Sequence, residues 1–212
     1  YRAAMVVTDT TASGVNPDTR ERLLRAAAFL FARKGTSGVR NHEIHTLAGQ
    51  RNESALHYHF GNRQNLVQAV IAQYDVFSGE SADALPGDRP GLILSHLVER
   101  LASGLETPEG RDWLRVISEL MARFSDHGEI VDGSDRATSL ALRLAPFLAL
   151  PKAVTLRRTI ALLRFLTSQM AERASRLESG QPAIPNEDEF VDELVNMSLA
   201  MLTAPRGRGS AR

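Results

Sequence analysis

Cysteine is absent from this chain of 212 residues, aromatic residues make up only 6% of it, and its formal net charge is zero. Without cysteine the chain has no disulfide, no thiol nucleophile and no thiolate metal ligand. No apolar run reaches the roughly 18 residues of a membrane-spanning helix, and residues 1–17 lack the apolar centre of a signal peptide. We therefore expect a cytoplasmic protein without a membrane partner. A hydrophobic content of 43% is enough for a large core.

The hydrophobic residues recur at helical spacing along most of the chain. Leu94, Leu97, Val98, Leu101 and Leu105 stand at relative positions 0, 3, 4, 7 and 11, which puts them on one face of a helix. Gly- and Pro-containing stretches separate such segments. The pattern predicts helices over residues 17–34, 63 to about 80, 91–105, 111–124, 136–148, 153–177 and from 187 onward, and therefore an all-α fold.

Residues 39–66 predict two short helices joined by a tight turn and followed by a third helix. The first ends at Gly49, because glycine reaches the left-handed backbone conformation of a sharp reversal at little steric cost. The second runs from about residue 52 and ends at Gly61, and Asn62 is a good N-cap for the helix after it. This is the geometry of a helix-turn-helix, which places one helix end in a DNA major groove. The inward-facing residues are predicted to be Ile44, Leu47, Ala48, Leu56 and Phe60.

The charges are distributed unevenly along the chain. Residues 1–65 contain nine Lys or Arg and five Asp or Glu, a net charge of +4, and also four of the six histidines. The remaining residues contain 16 basic and 20 acidic side chains, a net charge of −4. A basic N-terminal part favours binding to a phosphate backbone by that part alone. A bias of four charges also arises by chance, so it supports the helix-turn-helix interpretation without establishing it.

A set of short motifs occurs in the first third of the chain. Its members are Thr19, Arg20, Glu21, Arg22, Leu23, Leu24, Ala26, Ala27, Leu30, Phe31, Gly35, Glu43, Ile44, Ala48, Gly49, Tyr58, His59, Phe60, Asn62, Arg63 and Leu66. In this order and spacing they resemble the tetracycline-repressor (TetR) family of bacterial transcriptional regulators. Two features depart from the family pattern: the turn continues as Gln50-Arg51-Asn52, with one extra residue, and His57 stands where an aromatic residue is common.

The resemblance implies that residues 52–59, the recognition segment, lie in the major groove of double-stranded DNA. Arginine pairs with guanine, asparagine with adenine and glutamate with cytosine, and an alanine methyl contacts thymine. The residues at the start of the segment are therefore candidates for base contacts, and others in and around it are candidates for phosphate contacts. The base candidates are Arg51, Asn52, Glu53, Ser54 and Ala55. The phosphate candidates are Arg40, Asn41, His57, Tyr58, His59 and Arg63.

The resemblance also implies a pocket for a small-molecule effector between the C-terminal helices. For the apolar candidates, ordinary core packing is the stronger interpretation. For His96, a pocket-lining residue and a core histidine with satisfied hydrogen bonds are equally good interpretations. Glu119 and Arg123 stand four residues apart and predict a surface ion pair. The candidate pocket residues are His96, Arg100, Trp113, Ile117, Phe124, Phe147, Phe165 and Met170.

The last two predicted helices are expected to form a homodimer. Each carries an apolar stripe wider than one neighbouring helix covers, and two copies would make a four-helix bundle. A dimer also suits DNA, because two reading helices about 34–36 Å apart enter successive major grooves of a palindrome. The stripes comprise Leu156, Ile160, Leu163, Thr167 and Met170 on the first helix and Phe190, Leu194, Met197 and Met201 on the second.

These expectations divide the chain into five parts. They are a flexible arm (1–15), a three-helix helix-turn-helix DNA-binding domain (16–62, the head), a connecting helix (63–84), a helical effector-binding and dimerisation domain (85–204, the body) and a flexible tail (205–212). The connecting helix is expected to be the mechanical link between head and body.

The expected function is sequence-specific regulation of transcription, in the family's commoner mode of repression. A homodimer would bind a palindromic operator and be released by the effector. The main alternative is an all-helical enzyme or metal-binding bundle with a non-functional head, and a third is an interaction module. The sequence has no Gly-x-Ser-x-Gly elbow, no Glu-x-x-His pair and no phosphate-binding loop. We therefore expect no enzymatic activity, no cofactor and no metal.

Overall fold

The computed structural model describes residues 19–75, 87–123, 133–182 and 184–205, with the backbone alone for 133–137. All regular secondary structure in these ranges is α-helical, as the periodicity predicts. The predicted arm, most of the tail, most of the predicted break after the connecting helix, and Phe124 lie outside them. The helices are α1 (Thr19–Lys34), α2 (Asn41–Leu47), α3 (Ala55–Phe60), α4 (Arg63–Gln73), α5 (Pro90–Ser103), α6 (Pro108–Arg123), α7 (Gly133–Leu148), α8 (Lys152–Glu178) and α9 (Glu187–Thr203).

The helix ends in the head follow local backbone chemistry. Gly49 and Gly61, just after α2 and α3, have φ angles of 65° and 75°, a region that side chains with a Cβ adopt only with strain. Asn62 caps α4, because its Oδ1 accepts a hydrogen bond of 2.8 Å from the backbone N–H of Asn65. The helices α3 and α4 are shorter than predicted, since α3 begins at Ala55 rather than at about residue 52 and α4 ends at Gln73 rather than at about residue 80. Residues 53–54 form a turn in which Asn52 Oδ1 accepts from the backbone N–H of Ser54.

The head has its own hydrophobic core, in which α1 packs against α2 and α4. Leu23, Phe31 and Ile44 are at most 1% exposed. Burying a side chain of this size stabilises the folded state by about 1.5–3 kcal/mol. One predicted inward residue is wrong: Leu47 is 40% exposed, because it lies at the last position of α2.

The body has a second core, formed by α5 to α9 with α8 at its centre. The predicted face of α5 is confirmed, since Leu94, Leu97, Val98, Leu101 and Leu105 are all buried. The helix α8 packs against α6 and α7, and α9 packs against α5 and α8. Asn186 caps α9 as predicted, with its Oδ1 3.0 Å from the backbone nitrogen of Glu189.

The helix α6 contributes to both cores. Trp113 and Leu114 are buried in the body core, whereas Val116, two residues further on, is fully buried in the head core. Leu114 and Val116 are two residues apart, which is about half a helical turn, so their side chains point to opposite sides of α6 and the helix faces both units. The sequence predicted that the connecting helix is the mechanical link between head and body. The structure shows a second link, because α6 packs directly against α1.

No single helix among the described residues is long and apolar enough to cross a membrane. One pair of consecutive helical segments, Thr138–Leu148 and Lys152–Glu178, has the length and composition of a membrane span, but the pair is bent by 120°.

Candidate nucleic-acid interface

The recognition segment has a buried side that holds it and an exposed side that faces away from the head. Leu56 and Phe60 are 5% and 7% exposed and belong to the head core. On the other side, Tyr58 is 84% exposed, although a tyrosine ring offers a large apolar surface. Its ring meets that of His59 edge to face, with centroids 5.0 Å apart. Exposed large side chains held on a firmly packed helix are what a binding surface requires.

Most predicted base-reading residues lie on this surface, and one does not. Arg51, Asn52, Glu53 and Ser54 are exposed. Ala55 is only 5% exposed and packs in the head core, so its methyl group is not available to a thymine. The prediction for Ala55 is corrected because α3 begins there, with this first residue turned inward.

The predicted phosphate contacts fall into two groups. Arg40 and Asn41, at the start of α2, are exposed, as are His57 and Tyr58, and His59 is half-buried.

Arg20 of α1 was not predicted, although its guanidinium carbon lies 5.2 Å above the ring of Phe60 and brings a positive charge to the base of α3. Its place in α1 gave no signal for this, because the contact depends on how α1 crosses α3.

Arg63 differs from the other phosphate candidates because its side chain turns inward. Nη2 donates hydrogen bonds of 2.6 and 2.9 Å to the backbone carbonyls of Thr36 and Val39. Nη1 lies 3.4 Å from Asn41 Oδ1, and the guanidinium carbon lies 4.4 Å above the ring of Phe31. Burial lowers the pKa of Arg63 below its ordinary value. The guanidinium thus bonds to the turn between α1 and α2.

Glu43 fastens α2 to its own N-terminal flank and to α1. Its carboxylate accepts a hydrogen bond of 2.8 Å from the backbone N–H of Arg40 and pairs with the ammonium group of Lys34. The bond from Arg40, followed by that from Lys34, lowers the pKa of Glu43 below its ordinary value. Both contacts hold α2 where its exposed first turn is presented.

The candidate effector residues do not form one group. Trp113 and Met170 are buried in the body core, and Ile117 and Phe165 pack against it. Trp113 Nε1 donates a 3.0 Å hydrogen bond to the carbonyl of Ile71, which joins α6 to α4. Phe147 is 40% exposed on α7, so its prediction as an interior residue is wrong. His96 and Arg100 are half-buried on α5.

The predicted dimer stripes are covered in part by the chain itself. Thr167, Met170, Phe190 and Leu194 are at most 7% exposed, so a second copy could not reach them, and these four predictions are corrected. The helices α8 and α9 pack against each other and against α5 to α7, so helices of the same chain already cover this part of both stripes. The accessible remainder comprises Leu156, Ile160, Leu163 and Met201, which are half-buried, and Met197, which is 44% exposed.

An ion-pair cluster joins α1, α6 and the end of α8. Arg33 Nη1 lies 2.9 Å from Asp112 Oδ1, Arg115 Nη1 lies 3.1 Å from the same oxygen, and both arginines also pair with Glu178. Burial raises the pKa of Asp112, against the effect of the two guanidinium groups. Burial also favours a raised pKa at Glu178, but the two arginines outweigh this effect, and the pKa of Glu178 is lowered below its ordinary value. No local sequence pattern predicts these contacts, because Arg33 and Glu178 are 145 positions apart.

A second polar contact joins α6 to the turn before α2. The carboxylate of Glu119 accepts hydrogen bonds from the backbone N–H of Thr36, at 2.8 Å, and from its hydroxyl, at 3.2 Å. The predicted pair with Arg123 is present at 2.7 Å, and Arg123 in turn donates to Ser37 Oγ at 2.8 Å. Thr36 is therefore bonded from two sides, to Glu119 through its N–H and to Arg63 through its carbonyl.

The described helices define a helix-turn-helix head on a helical body, and comparison with solved structures identifies the same architecture. The chain has the fold of TetR-family transcription regulators. A TetR-family regulator from Marinobacter aquaeolei VT8 superposes with a TM-score of 0.57 at 18% identity, over 87% of this chain and 95% of its own. BioQ, solved with its natural double-stranded DNA operator, gives 0.55 at 17% identity, over 88% and 98%.

A third solved structure is a TetR variant from Acinetobacter baumannii AYE in complex with minocycline. It gives a TM-score of 0.52 at 11% identity, over 91% of this chain and 99% of its own. No protein-family model matches the chain, and no curated protein matches it. The resemblance seen in the N-terminal motifs is thus confirmed by the fold of the chain as a whole.

Proposed function

We propose that this protein is a transcription regulator, in the mode of a repressor, whose homodimer binds a palindromic operator and is released by a small-molecule effector. The observation that carries the proposal is the two-sided recognition segment. Its apolar side is buried in the head core, and its outer side presents Tyr58, His57 and the polar residues 51–54 to solvent. This arrangement suits a helix that enters a major groove.

The proposed division of labour follows the two cores. The head, residues 16–62, would bind DNA; residues 63–84 would connect it to the body; and the body, residues 85–204, would bind the effector and form the dimer. The DNA operator held by BioQ and the minocycline held by the TetR variant support binding of DNA and of a small molecule by analogy of fold. We place this function in the cytoplasm, where a bacterial regulator meets DNA.

The proposed dimer uses the accessible parts of α8 and α9. Leu156, Ile160 and Leu163 are half-buried on α8 and Met197 is exposed on α9, although each side chain is apolar. A twofold partner would cover these side chains and gain the free energy of burying them. Since both heads would be carried on this shared base, its geometry would set their separation.

The direct test is fluorescence anisotropy with DNA duplexes that the wild-type protein selects from a randomised pool. We expect a clear preference for the selected duplex over an unrelated one and an affinity that falls as salt rises. Tyr58→Ala should weaken binding by about tenfold, the size of one lost charge-neutral DNA contact. Its free energy of unfolding should change by less than about 0.5 kcal/mol, because the side chain is largely in water.

The matched control is Phe147→Ala, which removes an exposed aromatic side chain from α7, outside the head. It should leave affinity for the selected duplex unchanged. A wild-type protein that bound selected and unrelated duplexes equally well would contradict the proposed function.

A further inference from the structure

We infer that Arg63 is a positioning residue for DNA binding, which holds residues 36–41 in place so that the Asn41 amide faces the phosphate backbone. The inference rests on the proposed function and assigns Arg63 a different role from the phosphate contact that the family resemblance implies. It is carried by the direction and partners of the guanidinium group.

The geometry leaves Arg63 poorly placed for a phosphate. Both N–H bonds of Nη2 are directed to backbone carbonyls, those of Thr36 and Val39, at 2.6 and 2.9 Å. One face of the guanidinium is covered by the ring of Phe31, which is itself 1% exposed. A phosphate contact at Nη2 would require these bonds to break, and each lost bond would leave a carbonyl without its donor.

The same group reaches the exposed residue that we propose to meet DNA. Arg63 Nη1 lies 3.4 Å from Asn41 Oδ1. An asparagine amide has one oxygen and one NH₂ group, so a bond that takes the oxygen toward Arg63 turns the NH₂ donors away from it. Asn41 is exposed, and its NH₂ group is then oriented as a donor to a phosphate oxygen.

Arginine is specifically suited to this role, and lysine is not. A planar guanidinium can bond two carbonyls from one nitrogen, a third acceptor from another, and stack on an aromatic ring at the same time. A lysine keeps the charge but cannot reproduce this fork. A phosphate contact needs mainly the charge, so lysine would substitute for arginine there. The Arg63→Lys variant therefore separates the two roles.

The experiment measures affinity for the duplex selected by the wild-type protein, at a temperature where thermal unfolding shows every variant to be folded. We expect Arg63→Lys to weaken binding by about tenfold, the effect of losing the hydrogen bonds that this half-buried guanidinium makes. In Arg63→Gln the slope of log affinity against log salt should match that of Arg63→Lys, because the two variants lose the same positioning bonds and the charge in which they differ does not neutralise a phosphate. Arg25→Lys, an exposed surface-pair arginine of α1, is the matched control and should bind as the wild type does.

A double-mutant cycle with Asn41→Ala distinguishes positioning from a general loss of stability. Asn41→Ala should weaken binding in the wild type and have a much smaller effect in Arg63→Lys, because the amide is already misplaced there. Hydrogen exchange of the DNA-free protein should be faster at residues 36–41 in Arg63→Lys than in the wild type.

Three results would overturn the inference while leaving the proposed function intact. They are Arg63→Lys binding within about twofold of the wild type, a salt slope smaller by about one in Arg63→Gln than in Arg63→Lys, and additive effects of the Arg63 and Asn41 changes. If the wild-type protein shows no preference for any duplex, the proposed function itself fails, and the role of Arg63 in DNA binding fails with it.

Discussion

At the scale of single residues, neighbouring positions in the recognition segment have opposite environments. Ser54 is exposed and Ala55 is 5% exposed, although both were predicted to face DNA bases. The difference arises because α3 begins at Ala55, and its first residue turns toward Leu56 and Phe60 in the head core. Hydrophobic periodicity could not predict whether Ala55 points inward or outward, because the helix begins three residues later than that periodicity indicated.

A pair of enlarging substitutions checks this placement. Ala55→Leu should lower the free energy of unfolding by about 1–3 kcal/mol, because three additional carbon atoms must fit into a packed core. Ser54→Leu adds similar bulk one position earlier and should change it by less than about 0.5 kcal/mol, since the side chain extends into water. Urea unfolding followed by circular dichroism measures both. Equal effects of the two changes would show that Ala55 is not a core position.

At the scale of helices, α6 has a role that its amphipathic pattern did not indicate. Its apolar residues enter both cores, with Leu114 on the body side and Val116 on the head side. Its polar residues also contact the head, since Glu119 bonds Thr36 and Asp112 pairs with Arg33. The turn before α2 is thereby connected to the body through one helix. A displacement of α6 on binding an effector would change the position of that turn, which is how a body site would bias the head between two states.

Two glutamates, each at the same spacing from its partner arginine, allow the contribution of the contact between Glu119 and Thr36 to be measured. Glu119 pairs with Arg123 and Glu172 with Arg176, each four residues apart, but only Glu119 also bonds Thr36. Glu119→Gln keeps the size of the side chain and removes its charge, and should destabilise the protein by about 1–2 kcal/mol through weaker bonds to Thr36. Glu172→Gln should cost less than about 0.5 kcal/mol, as an exposed pair does.

The measurement is chemical unfolding together with hydrogen exchange at residues 36–41. Exchange there should rise in Glu119→Gln and remain at the wild-type level in Glu172→Gln. If both substitutions had the same small effect, Glu119 would be only a surface pair, as the sequence alone suggested.

At the scale of the whole molecule, the proposed dimer determines whether two heads can act together. The chain itself covers Met170 and Leu194, which the apolar stripes had suggested for a partner. What remains accessible is a narrower surface that includes Ile160 and Met197. A symmetric interface repeats each of these side chains twice, so one charged substitution introduces two charges into it.

Met197→Glu should therefore shift the protein from a dimer to a monomer, as measured by light scattering after size-exclusion chromatography. The folded chain should tolerate the change, because Met197 is 44% exposed within it. Leu142→Glu on α7, where the side chain is 58% exposed, is the matched control and should remain dimeric. Dissociation by Leu142→Glu alone would place the interface on α7 and contradict the proposed use of α8 and α9.

Local sequence patterns were enough to predict the all-α class, most helix boundaries and the turns at Gly49 and Gly61. These features depend on local chemistry: hydrophobic spacing, capping side chains and the backbone freedom of glycine. The sequence also carried the family resemblance in the head, which the fold of the chain supports. Even α9, with its cap at Asn186, could be predicted from a few adjacent residues.

Local patterns did not predict which apolar residues are covered or where the long polar side chains turn, because both depend on the packing of helices against each other. Met170 is buried because α8 lies at the centre of the body, and Arg63 turns inward because Thr36 and Val39 present their carbonyls to it. Arg33 meets Asp112 across 79 positions of sequence. These choices depend on how helices cross in space, and helix packing angles are set by side chains far apart in the chain, which no local pattern contains.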